Sequence, residues 1–245
     1  MEPRLAPILR TVLRAATDLL YPPFCYACDA DLAGADRADL CRFCLQSRLA
    51  VAHPCPRCAG PRGPGSAGKR CPRCRSARPG FRAATAAYLY GGAVAAMIAR
   101  LKYGGERHQA DPLGRWAARA AAAAPWAGSI EMVVPLPLSR SRRRERGFNQ
   151  AELLAEPVAE RLRARWRPGA LRKIADTPPQ AGLSREARRR NLAGAFRARE
   201  RTVRGRRVLL VDDVMTTGTT LSEAARTLRR AGAKRVDVAV VARAV

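Results

Sequence analysis

Apolar residues change period several times along this chain, and the changes mark its elements. Residues 208–211 are an unbroken Val-Leu-Leu-Val run, the pattern of a strand buried on both faces of a parallel sheet. Beyond a short Thr/Gly stretch, Leu221, Ala224, Ala225, Leu228 and Ala231 recur at helical spacing. Gly232 closes that helix, and residues 236–242 predict the next strand. A further strand is predicted over 130–134, and a helix from about Asn149 to Leu162 whose interior Pro157 should kink or split it. At the N-terminus, Leu5, Ile8, Leu9, Val12, Leu13, Leu19 and Leu20 predict an amphipathic helix over residues 1–22, ending before Pro22-Pro23. Between Phe24 and Phe81 the pattern fades. The large apolar residues there are chiefly Leu32, Leu40, Phe43, Leu45, Leu49 and Val51, too few for a self-supporting core.

The cysteines explain how that thin region folds. All eight lie in it, as four C-x-x-C pairs: Cys25 with Cys28, Cys41 with Cys44, Cys55 with Cys58, and Cys71 with Cys74. Twelve residues separate the first pair from the second, and twelve the third from the fourth. A shift of 30 positions superimposes the first four cysteines on the last four, so one metal-binding unit is duplicated. Each C-x-x-C turn can present two thiolates to a tetrahedral ion, and four cysteines per ion leave no open position. The expectation is two structural Zn²⁺ ions, held by Cys25, Cys28, Cys41 and Cys44 and by Cys55, Cys58, Cys71 and Cys74. An interleaved pairing of the four C-x-x-C units is the alternative. Disulfides fit poorly with an intracellular chain, and thioredoxin-type redox chemistry needs a βαβ setting that is absent here. His53 is expected at the surface rather than on a metal. Three units follow: residues 1–22, a double ribbon over 23–79, and an α/β domain over 80–245 long enough to bury its own core.

Charge adds less than its size implies. The formal net charge is +26, and four of the 46 basic residues are lysine. With Ala, Gly and Pro also abundant, part of the arginine excess reads as coding bias, though such a charge attracts any polyanion. No apolar run approaches a membrane span. Arg4, Arg10 and Arg14 interrupt the only stretch that could serve as a secretory signal, so the cytoplasm is the expected compartment.

The chemistry concentrates in RVLLVDDVMTTGTT at 207–220. Two carboxylates, Asp212 and Asp213, stand at the carboxyl end of a buried strand, where open α/β sheets bind ligands. Thr216, Thr217, Gly218, Thr219 and Thr220 then lead into a helix. Backbone N–H groups at a helix N-terminus, with threonine hydroxyls beside them, make an anion site. The pair of acids can accept hydrogen bonds from vicinal ribose hydroxyls. This is a ribose 5-phosphate grip. An ordinary capped strand–helix turn, or a Mg²⁺ site of another nucleotide fold, are its rivals.

Residues 208–220 resemble the phosphoribosyl pyrophosphate motif of type I phosphoribosyltransferases. With LKYGG at 101–105, VPLPL at 134–138, RGFNQAELLA at 146–155, TPPQAGLSR at 177–185 and RNLAGAF at 190–196, the chain resembles the ComF (ComFC/GntX-like) family over residues 20–245. The resemblance implies a five-stranded parallel sheet of the type I phosphoribosyltransferase kind behind a double zinc ribbon. It implies phosphoribosyl pyrophosphate bound with Mg²⁺: Asp212 and Asp213 on the ribose, Thr216 to Thr220 on the 5-phosphate. The pyrophosphate loop would run from Pro135 to Arg140, with Arg146 and Lys102 nearby. Residues 177–191 are placed like a closing loop, with Gln180, Arg185 and Arg188 as its contacts and Arg185 as a catalytic candidate beside the two acids. Such a protein is a phosphoribosyltransferase of unidentified acceptor, linked to competence and DNA uptake. Alternatively it is a non-catalytic scaffold that keeps the fold while binding single-stranded DNA and competence-machinery proteins. For DNA, the arginine clusters at 161–167 and 197–207 are the candidates, since the substrate explains those at 140–146 and 185–190. Trp166 lies in the first of these and is expected in the core.

Overall fold

The structure, a computed structural model, describes residues 23–32, 39–66, 68–175 and 194–245. The predicted N-terminal helix lies outside these residues, as do Gln180, Arg185, Arg188 and all of 177–191. In the cysteine region the helices are single turns, α1 (Arg42–Gln46) and α2 (Pro72–Ser76), each starting directly after a cysteine. The α/β region then runs β1 (Ala84–Leu89), α3 (Gly92–Tyr103), α4 (Ala110–Ala122), β2 (Met132–Pro135), α5 (Arg140–Arg146), α6 (Gln150–Leu162), β3 (Arg165–Trp166), β4 (Leu171–Lys173), β5 (Phe196–Ala198), α7 (Glu200–Val203), β6 (Arg207–Met215), α8 (Thr219–Arg230) and β7 (Arg235–Arg243).

Five of these strands form one sheet in the order β1-β7-β6-β2-β3, every neighbour parallel. That is the predicted α/β class. Strands β4 and β5 pair antiparallel as a separate ribbon flanking residues 174–195. The central position of β6 explains its continuous apolar run. Leu209 and Val211 pack into the core beneath α3, α4 and α6, while Val208 and Leu210 face α8 on the other side. Strand β6 is longer than its apolar run, carrying Asp212 and Asp213 within it and ending at Met215. Pairing with β7 continues past the acids, Asp212 opposite Val240 and Met215 opposite Arg243, and this holds the polar segment extended.

Two expectations are corrected. Pro157 neither kinks nor splits its helix: α6 is continuous from Gln150 to Leu162. Proline removes one backbone hydrogen bond, but here its ring nests against Gly114 of α4, where a Cβ would stand 2.6 Å from the proline Cγ. The missing side chain on α4 makes room for the ring. Trp166 is not in the core but 36% exposed. It lies on β3, a two-residue strand at the sheet edge with no neighbouring strand on its outer side among the described residues.

Candidate functional site

The cysteines settle into two sequential quartets. The ligand atoms of Cys25, Cys28, Cys41 and Cys44 lie within 4.8 Å of one another, as do those of Cys55, Cys58, Cys71 and Cys74. The interleaved alternative is therefore excluded. The sulfurs of Cys28 and Cys41 are 3.8 Å apart, and those of Cys58 and Cys71 are 3.7 Å apart. A tetrahedron with Zn–S bonds of about 2.3 Å has an edge of about 3.8 Å, so the thiols fit Zn²⁺. Burial works against the Cys25 and Cys55 thiolates, yet backbone N–H groups aimed at their sulfurs outweigh it and bring both pKa values down to about 7. In the second quartet the Cys71 N–H donates to Cys55 Sγ at 3.4 Å.

The second site lies at the carboxyl ends of β2 and β6. A cavity of about 270 Å³ is lined by Asp212, Asp213, all of Thr216 to Thr220, and Lys102. Leu136 to Ser139, Arg142, Gln150 and Lys173 also line it. The loop turns because Gly218 adopts φ 71°, which L-residues rarely occupy, and α8 begins at the next residue. A Cβ on Gly218 would also meet Met215 Sδ at 3.2 Å. The Thr217 and Thr219 hydroxyls are 2.9 Å apart, and the Thr219 N–H reaches Thr217 Oγ1 only at 3.4 Å. The first amides of α8 have no intrahelical acceptors, so an anion in the cavity meets donors already in place.

The two acids have different surroundings. Asp213 is 2% exposed, and both its oxygens are engaged: Oδ1 with Lys102 Nζ at 2.5 Å, Oδ2 with the Gln150 amide at 2.7 Å. Burial opposes the Lys102 ammonium, but Asp213 beside it raises its pKa above the ordinary lysine value. Asp212 is half-buried and accepts from the Asp213 N–H at 2.9 Å. Burial, then the negative charge of Asp213, pushes the Asp212 carboxyl up to about 8.

Of the other sequence candidates, Pro135 is the buried end of β2, and the residues after it, not Pro135 itself, reach the cavity. Arg140 is exposed and faces a separate cleft with Arg143, Arg172 and Arg197. Arg146 donates to the Gln150 side chain and stands over the Tyr103 ring at 5.8 Å, one residue removed from Asp213. Sequence reasoning placed Ser139 only within the 135–140 loop and Arg142 only within the 140–146 arginine cluster, and it assigned no role to Gln150 or Lys173. A local signal was legible beside them: Ser139 caps α5, accepting from the Arg142 N–H, and Asn149, next to Gln150 in the RGFNQ string, caps α6. Asn149 also donates to the Leu136 carbonyl at 3.1 Å, tying the loop after β2 to the helix that delivers Gln150. His53 is exposed, as expected.

A parallel sheet in this order, with paired acids and a Thr/Gly loop at the tip of its central strand, defines a type I phosphoribosyltransferase fold. The phosphoribosyl transferase domain family matches residues 123–244, and the double zinc ribbon domain family matches residues 16–75. The DNA utilization protein YhgH of Escherichia coli O6:H1 is 31% identical over 223 residues, covering 90% of this chain and 96% of that protein. Competence protein F of Haemophilus influenzae is 39% identical over 116 residues, 46% of this chain and 51% of that protein. Competence protein ComFC of Bacillus subtilis is 36% identical over 101 residues, 41% and 39% of the two chains. The chain belongs to the ComF family.

Proposed function

We propose that the cavity binds phosphoribosyl pyrophosphate with Mg²⁺, and that the protein works as a phosphoribosyltransferase-type module in competence and DNA uptake. The observation that carries this reading is the convergence of Asp212, Asp213, five loop residues and Lys102 on one small cavity at a helix N-terminus. In it the 5-phosphate takes the Thr216 to Thr220 amides and hydroxyls, and the ribose hydroxyls donate to Asp212. Asp213 holds Lys102 and Gln150 in place from behind. Arg142 and the helix cap at Ser139 face the pyrophosphate; Arg140 and Arg146 lie farther away.

Asp212 is also the carboxylate left for a Mg²⁺ ion carried in on substrate phosphates, the manner in which Mg²⁺ is usually held. A Mg²⁺ ion held by Asp212 would supply charge neutralisation at the leaving pyrophosphate. In a transfer, the bond from the anomeric carbon to pyrophosphate breaks with its electron pair leaving on oxygen. The nucleophile's lone pair forms the new bond, and its proton departs to solvent. The Lys102 ammonium is fixed on Asp213 before the substrate arrives, so its field at the departing charge requires little reorganisation. Zinc-binding thiols belong in a reducing compartment, so this reading puts the protein in the cytoplasm. No helix among the described residues is long and apolar enough to cross a membrane.

Isothermal titration of the wild type with phosphoribosyl pyrophosphate and Mg²⁺, against Asp212→Asn/Asp213→Asn, tests the site. Binding is expected in the wild type and lost in the double variant; equal heats would refute the assignment. Because Asp212 starts with its pKa near 8 and the ligand favours the carboxylate, binding at pH 7 should release a proton. Titration in buffers of different ionisation enthalpy reads that proton, which disappears in Asp212→Asn.

One observation favours a second activity on another face. Trp166 is exposed on the edge strand β3 between Arg165 and Arg167, with Arg161 and Arg163 exposed nearby. Aromatic rings interleaved with cations bind single-stranded nucleic acid by stacking and phosphate contact. In the 197–207 cluster, Arg204 pairs with Glu200, and Arg206 and Arg207 with Glu131, so the 161–167 face is the better candidate.

A further inference from the structure

Arg243 ends β7, directly opposite Met215 in the sheet register, and is 7% exposed. Its guanidinium joins two parts of the molecule that are far apart in sequence. Nη1 donates to the Met215 carbonyl at 2.9 Å and the Thr216 carbonyl at 2.7 Å, the two peptide units where β6 gives way to the phosphate loop. Nη1 also reaches the Ala244 carbonyl. Nε donates to the Cys58 carbonyl at 3.1 Å, on a ligand of the second cysteine quartet. A cavity of about 490 Å³ beside this bridge is walled by Cys58 and Cys74 on one side and by Thr217, Gly218 and Thr219 on the other.

The charge balance is the second observation. Among the described residues Arg243 has backbone carbonyls for hydrogen-bond partners and no carboxylate in an ion pair. A buried cation without an anion is costly. A zinc ion with four thiolates carries a net charge of about −2, and Arg243 is hydrogen-bonded to the backbone of one of those four cysteines.

We infer that Arg243 is a positioning residue that couples the second zinc ribbon to the phosphate loop, so that each binds its own charged partner more tightly when the other is occupied. The inference rests on the sugar-phosphate reading of the cavity. Arg243 sets the direction of the Met215 and Thr216 carbonyls, and through them the amides of the loop that follows. The ribbon fixes Arg243 from behind and compensates its charge. The first quartet has no such bridge among the described residues, so its metal should be indifferent to the ligand.

The test uses the zinc-loaded full chain. Phosphoribosyl pyrophosphate with Mg²⁺ is titrated into wild type, Arg243→Lys and Arg243→Met, with zinc content measured on each. Affinity is expected to fall by about 10- to 100-fold in Arg243→Met, the usual span of inter-site coupling. It should be partly recovered in Arg243→Lys, which keeps the charge but cannot span all four carbonyls. Should Arg243→Met fail to fold, the wild type alone suffices, because coupling between binding sites is reciprocal. Competition with a graded chelator should show saturating ligand tightening one zinc equivalent and leaving the other unchanged. Equal affinity of wild type and Arg243→Met with both zincs present, or equal response of both zincs to ligand, would overturn the role of Arg243 alone. A wild type that binds no phosphoribosyl pyrophosphate would overturn the site reading as well.

Discussion

The first ribbon buries Cys25, Leu32 and Leu40 in the core beneath α3 and α4, whereas the second keeps Cys55, Cys58 and Cys74 in a small cluster of their own. Apolar contact and peripheral ion pairs dock the first: Arg100 grips Asp29 at 2.7 Å, Arg115 holds Asp39 at 2.6 Å, and Gln109 donates to the Tyr26 carbonyl at 2.8 Å. The second docks on the loop side of the sheet, with Ala59 in the core beneath α8 and Arg243 on the Cys58 carbonyl at 3.1 Å. The cysteine spacing is the same in both; the neighbours are not. A duplicated metal unit has become a structural anchor in one copy and a neighbour of the candidate ligand loop in the other.

Three experiments would break or sharpen that contrast. The largest effect is expected from the metal ligands, since a structural zinc contributes on the order of 10 kcal/mol to its module. Cys55→Ser and Cys28→Ser should each lose one zinc equivalent by elemental analysis. Only Cys55→Ser should also weaken phosphoribosyl pyrophosphate binding by calorimetry; a matching loss in Cys28→Ser would erase the distinction. Next comes Leu40→Ala, which opens a cavity where the first ribbon meets the main core. It should cost about 2–5 kcal/mol in urea denaturation while leaving ligand heats unchanged. The smallest is Arg100→Ala. Its partners Asp29 and Glu106 are 60% and 26% exposed, and such pairs contribute at most about 1 kcal/mol each, so the melting temperature should fall by no more than about 8 °C.

Much of this molecule could be read from residue order. The Val-Leu-Leu-Val run declared a strand covered on both faces, because an open face would have left alternating polar residues. The 30-residue shift between cysteine sets declared two copies of one unit. The acids and threonines of 207–220 declared the cavity-lining loop, since few structural demands favour that string at a strand tip. Other features were hidden for definite reasons. Pro157 read as a helix breaker because the accommodating gap belongs to Gly114, 43 residues away and on another helix. Trp166 read as core because a tryptophan's burial depends on whether a strand lies beyond it, and β3 is the sheet edge.

By itself, then, the sequence determined the principal strands and helices, the four C-x-x-C units and the place of the cavity-lining loop, all of which depend on residues close together in the chain. Only the tertiary structure decided which C-x-x-C pairs come together in one quartet and which arginines stand near the cavity. It alone put Gln150 and Lys102 on the two oxygens of Asp213, and Arg243 between a ribbon and a loop. Those pairings span tens to nearly two hundred residues, and local pattern carries no information about which distant polar groups the packing of the sheet and helices will bring within hydrogen-bond reach.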